Sequence, residues 1–258
     1  MDLDDELGPV VADIVRSKLN DASKRDEKLF NALKQDEGIS VIPEIKLSSP
    51  DHGGLGDVRQ ISNLCKIYEE EGGKAISILT EPKYFNGKIE QISMVKKKTG
   101  LPILAKGFFL DMPHLVECML HGADSYLLMI RILKCLDRNI YDHIRMGYAL
   151  GMEPFVEISN SRELKTALKI HPRIIALNNR DIYGDLSIDF ERVKICRNIP
   201  DDIAVVSASG VSSGEDIRRL HELSKGRIDA VLVGSSMMKA DSPREKLREL
   251  VDVGGALG

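Results

Sequence analysis

The chain has 258 residues, 43% hydrophobic and 29% charged, the balance of an ordinary globular fold with a large core. A formal net charge of −4 argues against a nucleic-acid-binding protein, yet leaves room for an anionic small substrate in a locally basic cleft. Four cysteines (Cys65, Cys118, Cys135 and Cys196) lack paired spacing and read as reduced thiols of a cytoplasmic protein, and nothing in the sequence reads as a zinc site, a signal peptide or a membrane span.

The first predicted element is helical. Over 10–33, Val11, Ile14, Val15, Leu19, Leu29 and Leu33 recur at helical spacing with charged residues between them. From there strand and helix alternate. Strands are expected at 41–46, 74–80, 102–108, 125–130, 154–159, 174–179, 203–209 and 230–235. Most are short apolar runs with little alternation, as parallel strands buried on both faces require. Amphipathic helices are expected at 58–70, 87–98, 112–121, 139–150, 162–170, 188–197, 214–224 and 243–251. Ser161, Ser213 and Ser242-Pro243 are start signals, and Gly72, Gly100, Gly122 and Gly151 suit left-handed helix ends. Eight strand–helix units in a chain of this length point to an α/β fold, a (β/α)₈ TIM barrel. It forms one domain over 1–258, with 1–40 as an N-terminal helical extension; a doubly wound open sheet is the alternative.

Candidate chemistry collects at the strand ends. Strand one closes with Glu44 and Lys46, placed on one face by alternation. Strand three ends with Lys106, strand five carries Glu157, and strand six ends with Asn178, Asn179 and Arg180. In a barrel these ends share one rim. Charges inside apolar strands are costly unless partnered, so the set is either an acid–base site or a structural ion-pair network. Ser209-Gly210 after strand seven and Gly234-Ser235 after strand eight let backbone N–H groups approach a phosphate. Read singly, each would be a plain turn. Ser49 in the first loop offers a hydroxyl, and His52 in the same loop is a possible ligand contact. Phe85 and Phe108, next to strand ends, are either an apolar wall for a flat substrate or ordinary core.

Several motifs in order resemble the indole-3-glycerol phosphate synthase family: PEIKLSSP (43–50), ILTEPKYFNG (78–87), PILAKGFFLD (102–111), ADSYLLMIRIL (123–133), FVEISN (155–160), LNNRDI (177–182), VSASGV (206–211) and VLVGSSMMKADSP (231–243). The resemblance implies a (β/α)₈ barrel that converts 1-(2-carboxyphenylamino)-1-deoxyribulose 5-phosphate to indole-3-glycerol phosphate in tryptophan biosynthesis. It implies no metal and no organic cofactor. By motif, Lys106 falls on the general acid and Glu157 on an acid–base glutamate. Glu44 and Lys46 fall on the pair implicated in carboxylate contact and dehydration. Asn178 falls on a residue that positions the substrate, Arg180 on an arginine near the anthranilate end, and Ser209 on the serine of the strand-seven motif. Ser49, Gly210, Gly234 and Ser235 match phosphate-binding positions, and Phe85, Phe108 and Leu127 match the apolar pocket for the ring. The implied partner is the phosphorylated small molecule, with no nucleic acid and no membrane.

Three positions depart from the family pattern. Ala208 stands where a glutamate is usual, Gly107 where an aspartate follows the lysine, and Leu47 where the first motif is usually basic. Loss of one electrostatic group of this kind costs roughly two to three orders of magnitude in rate when nothing replaces it. The departures leave open a second expectation, a weakly active or inactive paralogue that binds a phosphorylated ligand. A phosphoribosylanthranilate isomerase, the third reading, fits poorly, because that family relies on a Cys and Asp pair where this chain has Lys46 and Lys106.

Overall fold

Eight apolar runs too short to make buried helices become eight parallel strands in the computed structural model, which describes residues 8–13, 27–35, 37–50 and 53–258. They are β1 (Ser40–Ile45), β2 (Ile76–Leu79), β3 (Ile103–Lys106), β4 (Ser125–Met129), β5 (Glu153–Ile158), β6 (Ile174–Asn178), β7 (Ala204–Ala208) and β8 (Ala230–Val233). Each pairs with the next in sequence, and β1 also pairs with β8, from Ser40 against Ala230 to Pro43 against Val233. The sheet is therefore a closed barrel and not an open doubly wound sheet. Almost every strand residue is buried, which is why alternation is absent: one face packs inside the barrel and the other against helices.

Among the described residues the α-helices include α1 (Lys28–Lys34), α2 (Ile61–Glu70), α3 (Glu90–Lys96), α4 (Met112–His121), α5 (Ile130–Cys135), α6 (Ile140–Ala149), α7 (Ser161–Lys169), α8 (Gly214–Ser224), α9 (Ser235–Lys239) and α10 (Pro243–Gly255). Among the described residues, no helix is long and apolar enough to cross a membrane. Ser213 and Ser242 cap α8 and α10 as their sequences predict. At α7 the cap is Asn160, whose side chain accepts from Arg162 and Glu163 N–H, one residue ahead of the expected Ser161. Gly122 ends α4 at φ 97°, a region that costs a side chain about 1–2 kcal/mol, whereas Gly100 has no positive φ.

Two helical expectations change. The run over 10–33 is not one helix where it is described: Glu27, with ψ 58°, lies outside α1, and Ile14, Val15 and Leu19 fall outside the described residues. The segment expected as an α-helix over 188–197 is a 3₁₀ helix, Phe190–Asn198. Its buried residues, Phe190, Val193 and Cys196, recur every third position, which the three-residue turn stacks on one side.

The helix α1 lies across the N-terminal ends of the strands. Glu153, the first residue of β5, accepts the N–H groups of Leu29 (2.6 Å) and Phe30 (3.0 Å), two donors that a helix start leaves unpaired. Lys28 pairs with Asp124 just before β4 (3.2 Å), Lys34 with Asp229 just before β8 (2.9 Å), and Glu27 with Arg173 just before β6 (3.2 Å). These contacts fix α1 on the face opposite the candidate site, with Leu29, Phe30 and Leu33 buried beneath it.

Candidate active site

The C-terminal ends of the strands open onto a cavity of about 430 Å³. Closure of the barrel brings Glu44, Lys46, Lys106, Glu157, Asn178, Arg180, Ser209, Gly210, Gly234 and Ser235 to its wall, with Phe85, Phe108 and Leu127. All of these were legible as candidates in the sequence. Ser49 is not on this wall. It sits in a two-residue ribbon (Ser48–Ser49 against Gly53–Gly54), buried, and its hydroxyl has no hydrogen-bond partner among the described residues. His52 lies outside the described residues.

Glu44 organises the charged centre. Its carboxylate bridges two ammonium groups, Lys106 Nζ at 3.0 Å and Lys46 Nζ at 3.3 Å. Burial pushes the Glu44 carboxyl up, but Lys106 and Lys46 together outweigh it and hold it below the usual carboxylate range. Lys106 is likewise disfavoured as a cation by burial, and Glu44 and Glu157 more than restore it, so it is a firmer ammonium than a free lysine. For Glu157 the balance falls the other way. Burial raises its carboxyl, and Lys106 and the 3.0 Å donation from Asn178 Nδ2 to Oε1 do not fully reverse that. The cavity thus sets a fixed carboxylate and a proton-avid one around a shared lysine.

The glycine after β8 is set by the same centre. A Cβ at Gly234 would collide with Glu44 Oε1, so position 234 has no room for a side chain while Glu44 keeps its pose. Lys46 Nζ also donates to Ser235 Oγ at 3.0 Å, linking the carboxylate to the loop after β8. Ser236 Oγ donates to Val211 O at 2.9 Å and ties that loop to the one after β7. There Ser209 (φ 71°) and Gly210 (φ 92°) form two successive left-handed residues, a backbone conformation uncommon for serine. The helix after β8, α9, has five residues and begins at Ser235, directly after Gly234.

The three departures have structural counterparts. Ala208 is in register with Asn178 and Leu232, both on the cavity wall, so its methyl shares their inward direction, and the residue is buried. A Cβ at Gly107 would collide with Thr80 Oγ1, which occupies the space an aspartate would need. Leu47 is buried, and its carbonyl accepts from Leu55 N (2.8 Å) and Gly56 N (3.2 Å), so it serves the fold of the first loop.

Sequence reasoning missed Lys239, Glu81 and Met129 on the wall. Lys239 stands four residues after Ser235, a spacing that places both on one side of a helical turn, and that signal was available. With it, the wall carries four cations (Lys46, Lys106, Arg180, Lys239) against three carboxylates (Glu44, Glu81, Glu157). The cavity is thus positive in a chain whose net charge is −4, which suits an anionic ligand.

A family model described as indole-3-glycerol phosphate synthase matches residues 7–250. A protein of that name from Acetivibrio thermocellus is 37% identical over 221 residues, covering 85% of this chain and 83% of that one. Another, from Aquifex aeolicus, is 36% identical over 217 residues, covering 83% and 82%. A third, from a Thermoanaerobacter strain, is 33% identical and covers 94% of this chain and 97% of its own. Among solved structures, a thiamine phosphate pyrophosphorylase from Pyrococcus furiosus superposes with a TM-score of 0.61 at 15% identity, over 89% of this chain and 98% of that one, a likeness of fold alone.

Proposed function

The chain belongs to the indole-3-glycerol phosphate synthase family, carboxy-lyases of tryptophan biosynthesis, and on that premise we propose how its residues divide the reaction. The substrate is 1-(2-carboxyphenylamino)-1-deoxyribulose 5-phosphate. Its phosphate lies against Ser209, Gly210, Gly234 and Ser235, with the ammonium groups of Lys46 and Lys239 beside it. Its aromatic ring lies against Phe85, Phe108 and Leu127, with Arg180 at the anthranilate end and Asn178 between ring and chain.

Lys106 acts first. As the carboxylate-bearing ring carbon attacks the ketone carbon, the carbonyl π pair moves to oxygen, and the lysine ammonium protonates it. The carbon–carboxylate bond then breaks, carbon dioxide leaves, and its electron pair restores the aromatic ring. Last, the new hydroxyl departs as water when an ammonium protonates it, while a carboxylate takes a proton from the adjacent methylene. Glu157 suits that proton transfer, because burial gives it a greater appetite for protons than an ordinary carboxylate. Glu44 suits a fixed role, an ionised carboxylate that bridges Lys46 and Lys106 and helps to keep Lys106 an ammonium.

The observation that carries this reading is the Lys46–Glu44–Lys106 bridge with Glu157 beyond it in one cavity. The test is a fluorescence assay for indole-3-glycerol phosphate. Wild type turns the substrate over, and Lys106→Ala loses about 10²- to 10⁴-fold in kcat with its fold intact. Binding without turnover by the wild type favours the alternative of a ligand-binding paralogue, which Ala208 and Gly107 motivate.

A further inference from the structure

The chain after β6 makes a flap. Arg180 pairs with Ile188 in an antiparallel bridge, Asp181 N donates to Ser187 O at 2.9 Å, and Leu186 N donates to Asp181 O at 3.1 Å. The Arg180 guanidinium closes back on Leu186 O at 3.0 Å. Ile182 and Ile188 of this flap line the cavity, so the flap supplies both an apolar stretch of wall and the arginine at its foot. Its base is held by Arg192, which donates to Arg180 O (3.2 Å) and pairs with Asp181 (3.4 Å).

The tip is held differently. Tyr183 is partly exposed, and its ring lies under the guanidinium of Arg131 from α5, with 3.9 Å from Cζ to the ring centroid. Arg131 is itself fixed, because its Nε donates to Glu163 Oε1 at 2.8 Å. Glu163 is buried and also accepts Ser159 N (2.7 Å) and Asn160 Nδ2 (2.9 Å) at the start of α7. A planar guanidinium locked at its edge by a rigid carboxylate presents its face to a ring, a task an ammonium performs poorly.

We propose that Arg131 and Tyr183 form a positioning pair: Arg131, anchored on Glu163, holds the 180–189 flap by its stack on Tyr183 and so sets Arg180, Ile182 and Ile188 against the substrate's aromatic end. Neither residue touches the reacting atoms. The inference deepens the proposed binding mode and rests on it for the affinity it predicts, while the hold on the flap exists without ligand.

The test uses Tyr183→Leu, Tyr183→Phe and Arg131→Lys, the last keeping a charge for Glu163 while removing the planar face. Tyr183→Leu and Arg131→Lys each raise KM about 3- to 30-fold with kcat within about twofold, the loss expected for one partly desolvated cation–π contact. Tyr183→Phe behaves as wild type. The double variant Arg131→Lys/Tyr183→Leu is no worse than the worse single variant, because both remove one contact. Amide hydrogen exchange on the ligand-free protein gives a readout independent of substrate: residues 181–189 exchange faster in Tyr183→Leu than in wild type. Unchanged exchange overturns the pair whatever the activity. Faster exchange with unchanged KM overturns its positioning role, and so do fully additive effects in the double variant. If Lys106→Ala retains full activity, the binding mode fails instead, and the exchange result still decides the hold on the flap.

Discussion

Glu153 and Glu157 lie four residues apart on β5, on the same inward face, at opposite ends of the barrel. Both are buried, and burial raises both carboxyls. Their neighbours make them different. Glu157 faces Lys106, Asn178 and an open cavity, where gaining and losing a proton is useful. Glu153 faces two backbone N–H groups at the start of α1, and Glu27 and Asp124 add to the burial that lifts it to about 7. On the proposed mechanism one strand thus carries a chemical carboxylate at its C-terminal end and a structural one at its N-terminal end, the division of labour expected of this architecture. A raised carboxyl alone marks neither.

The sharpest way to break this comparison is Glu157→Gln. It is expected to lower kcat/KM about 10²- to 10⁴-fold while leaving the melting temperature nearly unchanged. In wild type the acidic limb of kcat/KM should lie above the ordinary carboxylate range, since a base raised by burial loses its ionised form at higher pH. Equal losses from Glu153→Gln would erase the distinction between the two ends.

A smaller effect is expected at Gly234→Ala. The added methyl displaces Glu44 from its bridge without removing its charge, and kcat/KM should fall about 10- to 100-fold, less than outright loss of a preorganised electrostatic group. Steady-state kinetics alongside a thermal melt separates this from unfolding.

At the other end, Glu153 should show itself through stability. Its carboxyl binds a proton more tightly folded than unfolded, so its contribution is greatest below its unfolded value near 4.5 and is lost as pH rises to about 7. Wild type should therefore lose melting temperature between pH 5 and pH 8 relative to Glu153→Gln, whose profile over that window should be flatter. Activity of Glu153→Gln should stay within about threefold of wild type, since nothing at that end touches the cavity.

The smallest effect is expected of Ala208→Glu. Glu44 already bridges both lysines, so a second carboxylate between Asn178 and Leu232 should change kcat/KM by no more than about threefold. A rise beyond tenfold would show that the bridge is a poor substitute for the residue usual in the family.

The chemical end was largely legible in the sequence, and the structural end was not. Lys106 and Glu157 stand out because a charge inside an apolar run is conspicuous, and an eightfold strand count says that such ends meet. Glu153 borders its strand beside a proline, and only contacts to Leu29 and Phe30, more than 120 positions away, give it meaning. Arg131 and Tyr183 were invisible for the same reason. Ser49 keeps its motif position, but motif position alone does not say that its hydroxyl is buried and that it lies off the cavity wall. The 3₁₀ segment misled because periods of 3 and 3.6 are hard to tell apart over nine residues.

Lys46 touches Ser235 on one side and Glu44 on the other. An occupant that seats a dianion beside Ser235 therefore pulls on the same ammonium that steadies the reacting centre. A dephosphorylated analogue should lose more than grip: even at saturation it should turn over slowly, because the handle of the molecule also tunes its blade.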